Sequence, residues 1–207
     1  GVCTTNDVDL AYRLQLIRNH GEAVVGPAGY KNITNIAGFN YRLSEIHAAV
    51  IREQLKKLES LNNMRLELVQ QLTAGLEKFD FFTTPSGREL CDSTYYVYPL
   101  RYNEEKTGVV REDFVLAVNA EGIQLYQGYT KPLYLQPVYQ KKHLFKNGYP
   151  FSAPENKGSN TEYYKGLCPN AEKLYFKEMI INEHIRHPHT HKDIKDIINA
   201  IEKVVQY

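Results

Sequence analysis

Four histidines near the C-terminal end are close enough in sequence to suggest a metal site: His184, His187, His189 and His191. Imidazole nitrogens bind zinc and other transition metals, usually together with cysteine or acidic ligands. No cysteine or acidic ligand set accompanies these histidines, and Cys3, Cys91 and Cys168 are too far apart for a zinc or disulfide pattern. We therefore expect no metal here, with the histidines flanking the start of a helix.

Tyrosine is the second type of side chain that could bind a ligand. The sequence has 16 tyrosines and no tryptophan. A ring with a polar tip suits a pocket for a polar ligand, and it suits the half-buried surface of a sheet equally well. For a tyrosine taken alone, the sequence leaves both interpretations open.

The bulk composition excludes several classes of protein. The 207 residues are 43% hydrophobic and 24% charged, as in ordinary globular proteins. A net charge of +1 gives no reason to expect nucleic acid or an anionic membrane as a partner. No apolar run is long enough to cross a bilayer and no signal peptide opens the chain, so we expect a cytoplasmic protein.

The elements that must position these side chains begin with a helix and a loop. After a strand end at residues 1–5, Asn6 is expected to cap a helix over residues 7–19, where apolar residues repeat at helical spacing. Gly21 ends the helix, because glycine readily adopts the left-handed conformation. Residues 22–42 follow as a long loop, and loops of this length are usually functional.

A single helical pattern then runs from Ser44, its expected cap, to about Phe79. A helix of about 35 residues spans roughly 50 Å, more than the diameter of a small domain. We therefore expect it to link two bodies or to bend midway. Asn62 and Asn63 are the expected weak point, because asparagine is a poor helix former.

Beyond residue 80 the pattern changes to short strands and helices. Strands are expected over residues 94–102, 123–129 and 179–185, and helices over residues 111–120, 169–174 and 190–205. A polar, aromatic loop occupies residues 131–164, where prolines prevent regular structure. Elements of this kind make a small α+β domain.

Three segments carry a resemblance that covers essentially the whole chain. Residues 1–21 contain Thr-Asn-Asp and Leu-Ile-Arg-Asn-His-Gly, and residues 38–49 read Gly-Phe-Asn-Tyr-Arg-Leu-Ser-Glu-Ile-His-Ala-Ala. A looser segment joins residues 122–133 to Cys-Pro-Asn-Ala-Glu and the strand that follows it. In this order they resemble the DegT/DnrJ/EryC1/StrS family, pyridoxal-phosphate (PLP) enzymes that aminate keto-sugars or cyclitols.

The resemblance implies an α/β fold in three parts. These are a remnant of the large PLP-binding domain (residues 1–42), a long linking helix (43–79) and the small α+β domain of a PLP fold type I aminotransferase (80–207). In the family, the lysine that binds the cofactor covalently precedes the position of the first residue here. Neither Lys31 nor Lys131 replaces it, so we expect no catalytic residue, no PLP bound by this chain alone and no activity alone.

The resemblance also assigns binding roles. The asparagine of its Gly-x-Asn-x-Arg motif, here Asn40, donates its amide to the PLP phosphate of the neighbouring subunit; on the residues alone, Asn40 is a turn residue before the helix. Arg42 is either an anion contact to substrate or an anchor for the helix start. Lys131 and Tyr134 are expected on the substrate side, with tyrosine in place of the family's histidine. Tyr129 is a wall of the same pocket or a packing residue.

Two functions are compatible with these observations. The first is the C-terminal part of a homodimeric aminotransferase that uses glutamate or glutamine to aminate a keto-sugar nucleotide or a cyclitol, for polysaccharide, cell-surface or antibiotic-sugar biosynthesis. The second is a truncated, non-catalytic paralogue that pairs with a full-length aminotransferase subunit as a dimerisation module. A third arrangement exchanges residues 1–40 between copies to cover an unpaired strand edge.

Overall fold

The computed structural model describes residues 1–21, 36–159 and 161–206. The chain forms two compact units, Gly1–Leu58 and Glu59–Tyr207. Residues 22–35 of the predicted loop, with Lys31, lie outside the described residues. The three-part domain division stays a prediction. Over the described ranges, no helix is both long and apolar enough to cross a membrane.

The α-helices of the described ranges are α1 (Val8–Arg18), α2 (Glu45–Leu55), α3 (Leu58–Leu76), α4 (Glu104–Thr107), α5 (Arg111–Ala120), α6 (Pro137–Gln140), α7 (Pro169–Lys173) and α8 (His191–Val205). A π-helix, Leu174–Glu178, continues α7. The strands are β1 (Phe82–Thr83), β2 (Tyr98–Tyr102), β3 (Leu125–Gln127) and β4 (Met179–Asn182).

The start of the first unit differs from the prediction in two ways. The cap of α1 is Asp7 rather than Asn6, because the Asp7 carboxylate accepts the Leu10 N–H at 3.0 Å. Residues 1–5 are exposed and do not form the predicted strand end, since a strand needs a hydrogen-bonded neighbour. The predicted end of α1 at Gly21 is confirmed by its φ of 72°.

The helix predicted over residues 43–79 is two helices. The helix is interrupted at Lys56 and Lys57, between α2 and α3. The predicted weak point at Asn62 and Asn63 is wrong, because both residues lie inside α3. Packing explains this difference. α3 buries four apolar residues in its second half, whereas α2 buries none. The helical pattern is therefore interrupted in the stretch that no core stabilises.

In the described part of the second unit, four antiparallel strands form one sheet in the order β1-β2-β4-β3. The three predicted strands are confirmed but shorter: β2 occupies the second half of its predicted range, β3 the centre and β4 the first half. Helices α3, α5 and α8 bury apolar side chains with those of the sheet in one core. Mixed helices beside a small antiparallel sheet confirm the predicted α/β class.

The last helix begins where the sequence predicts. The backbone N–H of Thr190 donates to the Asp193 carboxylate at 2.7 Å, which closes a capping box ahead of α8. This start places Ile194, Ile197 and Ile201 in the core, each at most 2% exposed.

Candidate functional site

The segment over residues 38–42 lies against the C-terminal end of α1. Three backbone hydrogen bonds of 2.7 to 3.0 Å join the two, from Phe39 N–H to the Ile17 carbonyl, from His20 N–H to the Phe39 carbonyl, and from Tyr41 N–H to the Arg18 carbonyl. These bonds fix the backbone on both sides of Asn40, whose side chain remains exposed.

Gly38 permits this close approach. A Cβ atom at Gly38 would lie 1.8 Å from the Gly21 nitrogen and 2.0 Å from the His20 carbonyl carbon, far inside van der Waals contact. No side chain fits between these two backbones. The glycine of the Gly-x-Asn-x-Arg motif is therefore required by the geometry that presents Asn40.

The side chain of Arg42 fixes the direction of the Asn40 amide. The Arg42 Nε–H donates to Asn40 Oδ1 at 3.1 Å. A guanidinium has donors only, so the amide atom that faces it is the oxygen, and the Nδ2 hydrogens are left for another acceptor. Arg42 Nη2 also lies 3.3 Å from His20 Nε2, which must accept this bond and carries no proton when it does so.

In the second unit, Tyr129 follows a glycine that brings the backbone close to the π-helix. Gly128 has a φ of 60° and donates its N–H to the Met179 carbonyl at 2.8 Å, and a Cβ there would lie 3.0 Å from Tyr175. The Tyr129 ring is exposed, and its hydroxyl accepts a hydrogen bond from the Tyr96 hydroxyl at 2.7 Å.

Tyr134 is bound to a buried carboxylate. Its hydroxyl donates to Glu172 and accepts the Cys168 N–H at 3.3 Å. Glu172 is 8% exposed and accepts the Gly166 N–H as well. Loss of solvent contact and the bond to Glu172 raise the pKa of Tyr134 to about 12, so the hydroxyl stays protonated at neutral pH. Lys131, three residues earlier, is exposed.

Comparison with known proteins shows that one family model matches the part of the chain that contains all of these residues. The model of the DegT/DnrJ/EryC1/StrS aminotransferase family matches residues 1–202. The chain belongs to this family. DegT/DnrJ/EryC1/StrS aminotransferases are PLP-dependent, and the resemblance identified from the sequence is confirmed.

Three relatives show the extent of the match. The dTDP-3-amino-3,4,6-trideoxy-alpha-D-glucose transaminase of Streptomyces venezuelae is 30% identical over 139 residues, 67% of this chain and 34% of that protein. A DegT DnrJ EryC1 StrS aminotransferase from Brucella abortus is 25% identical with a TM-score of 0.67, over 96% of this chain and 44% of its own. The PLP-form of the protein Spr1654 from Streptococcus pneumoniae is 16% identical with a TM-score of 0.67. The match covers 100% of this chain and 46% of that protein. The chain spans about half the length of such relatives, or less.

The structure shows contacts for the predicted site residues of this DegT/DnrJ/EryC1/StrS chain, while their ligand roles stay predictions. In the first unit, Asn40 and Arg42 contact each other. In the second, the hydroxyls of Tyr129 and Tyr134 bond to separate partners, and Lys131 is exposed without a role that the contacts assign.

Sequence reasoning missed three partners of these residues. His20 was interpreted only as part of a helix end, although its place in Leu-Ile-Arg-Asn-His-Gly was a signal. Glu172 had a similar signal as the last residue of Cys-Pro-Asn-Ala-Glu, whereas Tyr96 had none. Neither contact could be predicted from spacing, because Tyr96 and Glu172 lie 33 and 38 residues from the tyrosines that they contact.

Two of the four C-terminal histidines form a pair. His184 Nδ1 lies 3.0 Å from His189 Nε2, and His189 Nδ1 lies 2.9 Å from the Arg186 carbonyl. His191 instead contacts Gln71. Within the described ranges, no group of three or more possible ligands could hold a metal ion. The absence of a metal stays a prediction.

The histidine pair predicts a pH dependence of stability. Burial, followed by the charge of His189, lowers the pKa of His184 below its ordinary value of 6.5. The folded state therefore binds fewer protons than the unfolded state, so this contribution is present above pH 6.5 and is lost as the pH falls through the folded pKa. Urea unfolding from about pH 7.5 to about pH 5 should show a smaller loss of stability in His184→Gln than in the wild type.

His143→Gln is the control for this experiment, because His143 is exposed and its imidazole belongs to no such pair among the described contacts. Equal pH dependence in the wild type and in His184→Gln would contradict the assignment.

Proposed function

We propose that this chain is the C-terminal part of a PLP-dependent aminotransferase that aminates a keto-sugar nucleotide or a cyclitol for polysaccharide, cell-surface or antibiotic-sugar biosynthesis. Family membership supports the aminotransferase, and the printed name of the Streptomyces venezuelae relative supports a nucleotide-sugar substrate. The observation that carries the proposal is the orientation of the Asn40 amide.

The residues of the first unit fit a phosphate group. Arg42 occupies Asn40 Oδ1, so Nδ2 faces outward as a donor from an exposed segment. A donor held in advance loses little conformational freedom when it binds, and the nearby guanidinium favours a negative charge. In this proposal Asn40 donates to the PLP phosphate held by the neighbouring subunit, and Arg42 positions Asn40. PLP, when bound, supplies the electron sink that transamination requires.

The residues of the second unit face the substrate in this proposal. The Tyr129 hydroxyl donates to an oxygen of the substrate, and the exposed ammonium of Lys131 attracts its phosphates. Tyr134 contributes its ring and holds the segment in place through Glu172, because its hydroxyl already has two protein partners. The covalent lysine comes from outside residues 1–207, so we expect no transamination from this chain alone.

One observation favours a second function, a non-catalytic module that assembles with a full-length subunit. α2 buries none of its residues, and Ile46, Val50 and Leu55 are between 56% and 78% exposed. An exposed apolar helix face is typical of an interaction surface. Both functions place a second subunit beside this chain, and they differ in whether the assembly aminates a sugar.

Complementation in trans tests the role of Asn40. The chain is mixed with a full-length family member whose own asparagine in the Gly-x-Asn-x-Arg motif is replaced by alanine. The wild-type chain should co-elute with it and restore PLP affinity and transamination. Asn40→Ala should leave PLP bound about tenfold more weakly, because a hydrogen bond to a charged acceptor contributes about 1.5 kcal/mol or more. Asn40→Asp should be weaker still, since a carboxylate repels phosphate.

Asn63→Ala, an exposed asparagine in α3, is the matched control and should behave as the wild type. Full restoration by Asn40→Ala would rule out the phosphate role. Co-elution without any restored transamination would favour the non-catalytic module. Activity of the chain alone, with PLP fixed by borohydride onto one of its own lysines, would contradict the proposed division of the active site.

A further inference from the structure

Tyr96 forms a hydroxyl pair that the proposed function does not yet use. Its O–H donates to the Tyr129 oxygen at 2.7 Å. Each tyrosine hydroxyl has one hydrogen. The bond uses the hydroxyl hydrogen of Tyr96, so the hydroxyl hydrogen of Tyr129 is left to donate to another group. Both rings are about equally exposed, at 61% and 60%. The free donor of the pair is therefore the Tyr129 hydroxyl, and it is accessible to a ligand.

Rigid elements support both tyrosines. Tyr96 lies two residues before Tyr98, which is fully buried at the start of β2 and bonds to Thr73 at 2.9 Å. Tyr129 follows Gly128, whose N–H is bonded to the Met179 carbonyl just after the π-helix and where a Cβ would lie only 3.0 Å from Tyr175. The meeting of the two hydroxyls is therefore set by the fold rather than by two free surface side chains.

The electrostatics keep the Tyr96 hydroxyl protonated, as its role as donor requires. Its hydrogen bond to Tyr129, followed by partial burial and by the charges of Tyr129 and Glu183, raises the pKa of Tyr96 above its ordinary value of 10.0. Tyr96 therefore stays protonated at neutral pH. A hydroxyl that accepts one hydrogen bond becomes a better donor in the next, because successive bonds polarise each other.

We propose that Tyr96 is a positioning residue, which directs the Tyr129 hydroxyl hydrogen toward an acceptor oxygen of the sugar-nucleotide substrate. This inference rests on the proposed function, because it deepens the role of Tyr129 in the same site. Tyr96 acts through Tyr129 and makes no substrate contact of its own. Its loss leaves the Tyr129 hydroxyl free to rotate, so substrate binding weakens while the chemical step is unaffected.

The test uses Tyr96→Phe, Tyr129→Phe and the double variant in the mixed assembly described above. Steady-state kinetics give KM for the sugar nucleotide and kcat, and calorimetry gives the affinity for UDP and dTDP, a measurement that needs no turnover. We expect Tyr96→Phe to raise KM about fivefold with kcat unchanged, as for the loss of one hydrogen bond. Tyr129→Phe should have an equal or larger effect, and the double variant should be no worse than Tyr129→Phe.

Tyr149→Phe, another exposed tyrosine of the second unit, is the matched control. Additive effects in the double variant would overturn the inference, because Tyr96 would then act independently of Tyr129. Unchanged KM and nucleotide affinity in Tyr96→Phe would also overturn it. A third outcome separates the two proposals. If the wild-type assembly aminates nothing, but its nucleotide affinity falls in Tyr96→Phe and Tyr129→Phe and falls no further in the double variant, the proposed function fails while the positioning role stands.

Discussion

Replacing Gly38 with alanine is expected to detach the Asn40 segment from the end of α1. The added Cβ would meet the backbone of Gly21 and His20 at about 2 Å or less, and backbone atoms cannot rotate aside as a side-chain end can. The overlap is relieved only if the segment moves. The three backbone hydrogen bonds that join it to α1 are then lost together.

Hydrogen exchange measures this loss directly. The amides of Phe39 and Tyr41 are donors in these bonds, so they should be protected in the wild type. With about 1 kcal/mol for each of three bonds, Gly38→Ala should accelerate exchange at both amides by about 100-fold. The same variant should fail to restore PLP affinity in trans, because Asn40 is no longer held in place.

Gly158→Ala is the control, since a Cβ at Gly158 has no heavy atom within 4 Å and its backbone conformation suits any residue. It should leave exchange at Phe39 unchanged. Unaltered protection of Phe39 and Tyr41 in Gly38→Ala would show that the close approach of the two backbones is not needed.

Arg111→Met is expected to destabilise the second unit more than other single changes at an arginine. Arg111 is 3% exposed, and its guanidinium donates to the carbonyls of Tyr175, Phe176 and Met179 at 2.9 to 3.2 Å. A π-helix leaves carbonyls near its end without helical partners, and methionine cannot supply donors to them. The Met179 carbonyl keeps its bond from the Gly128 N–H, whereas the carbonyls of Tyr175 and Phe176 lose the partner that Arg111 supplies. Two partly buried acceptors without this partner cost about 2 kcal/mol or more.

Urea unfolding of the variant gives this loss, with Arg101→Met as the matched control. Arg101 also contacts the π-helix, through the Glu178 carboxylate at 2.9 Å, but its side chain is 54% exposed. An ion pair of that exposure contributes about 1 kcal/mol or less. A loss in Arg111→Met no greater than that in Arg101→Met would contradict the role of Arg111 as the partner of these carbonyls.

Local chemistry decided what could be predicted from the sequence. The capping box of α8 joins Thr190 to Asp193 within one turn, and Arg42, which orients the Asn40 amide, lies two residues from it. Such relations lie within a few residues of the chain. The break in the helix over residues 43–79 could not be read in the same way, because it depends on which part of the helix meets a core.

Contacts between distant residues decided the rest. Strands β2 and β3 are shorter than predicted because they extend only as far as their neighbours pair with them, β1 and β4 for β2 and β4 alone for β3. The partners of Tyr129 and Tyr134 lie more than 30 residues away in the chain, so no spacing rule could have indicated them. Both contacts depend on where the π-helix and its flanking turns place the backbone.

The contact between Tyr134 and Glu172 joins the two ends of the long aromatic segment between β3 and α7. Once its ends are tied, the entropy of closing such a segment changes only with the logarithm of its length. The stretch between the two residues can therefore gain or lose turns, or carry an inserted label, without disturbing the sheet that it leaves and rejoins. In evolution, the same freedom would let this stretch change what it recognises while the framework beneath it is kept.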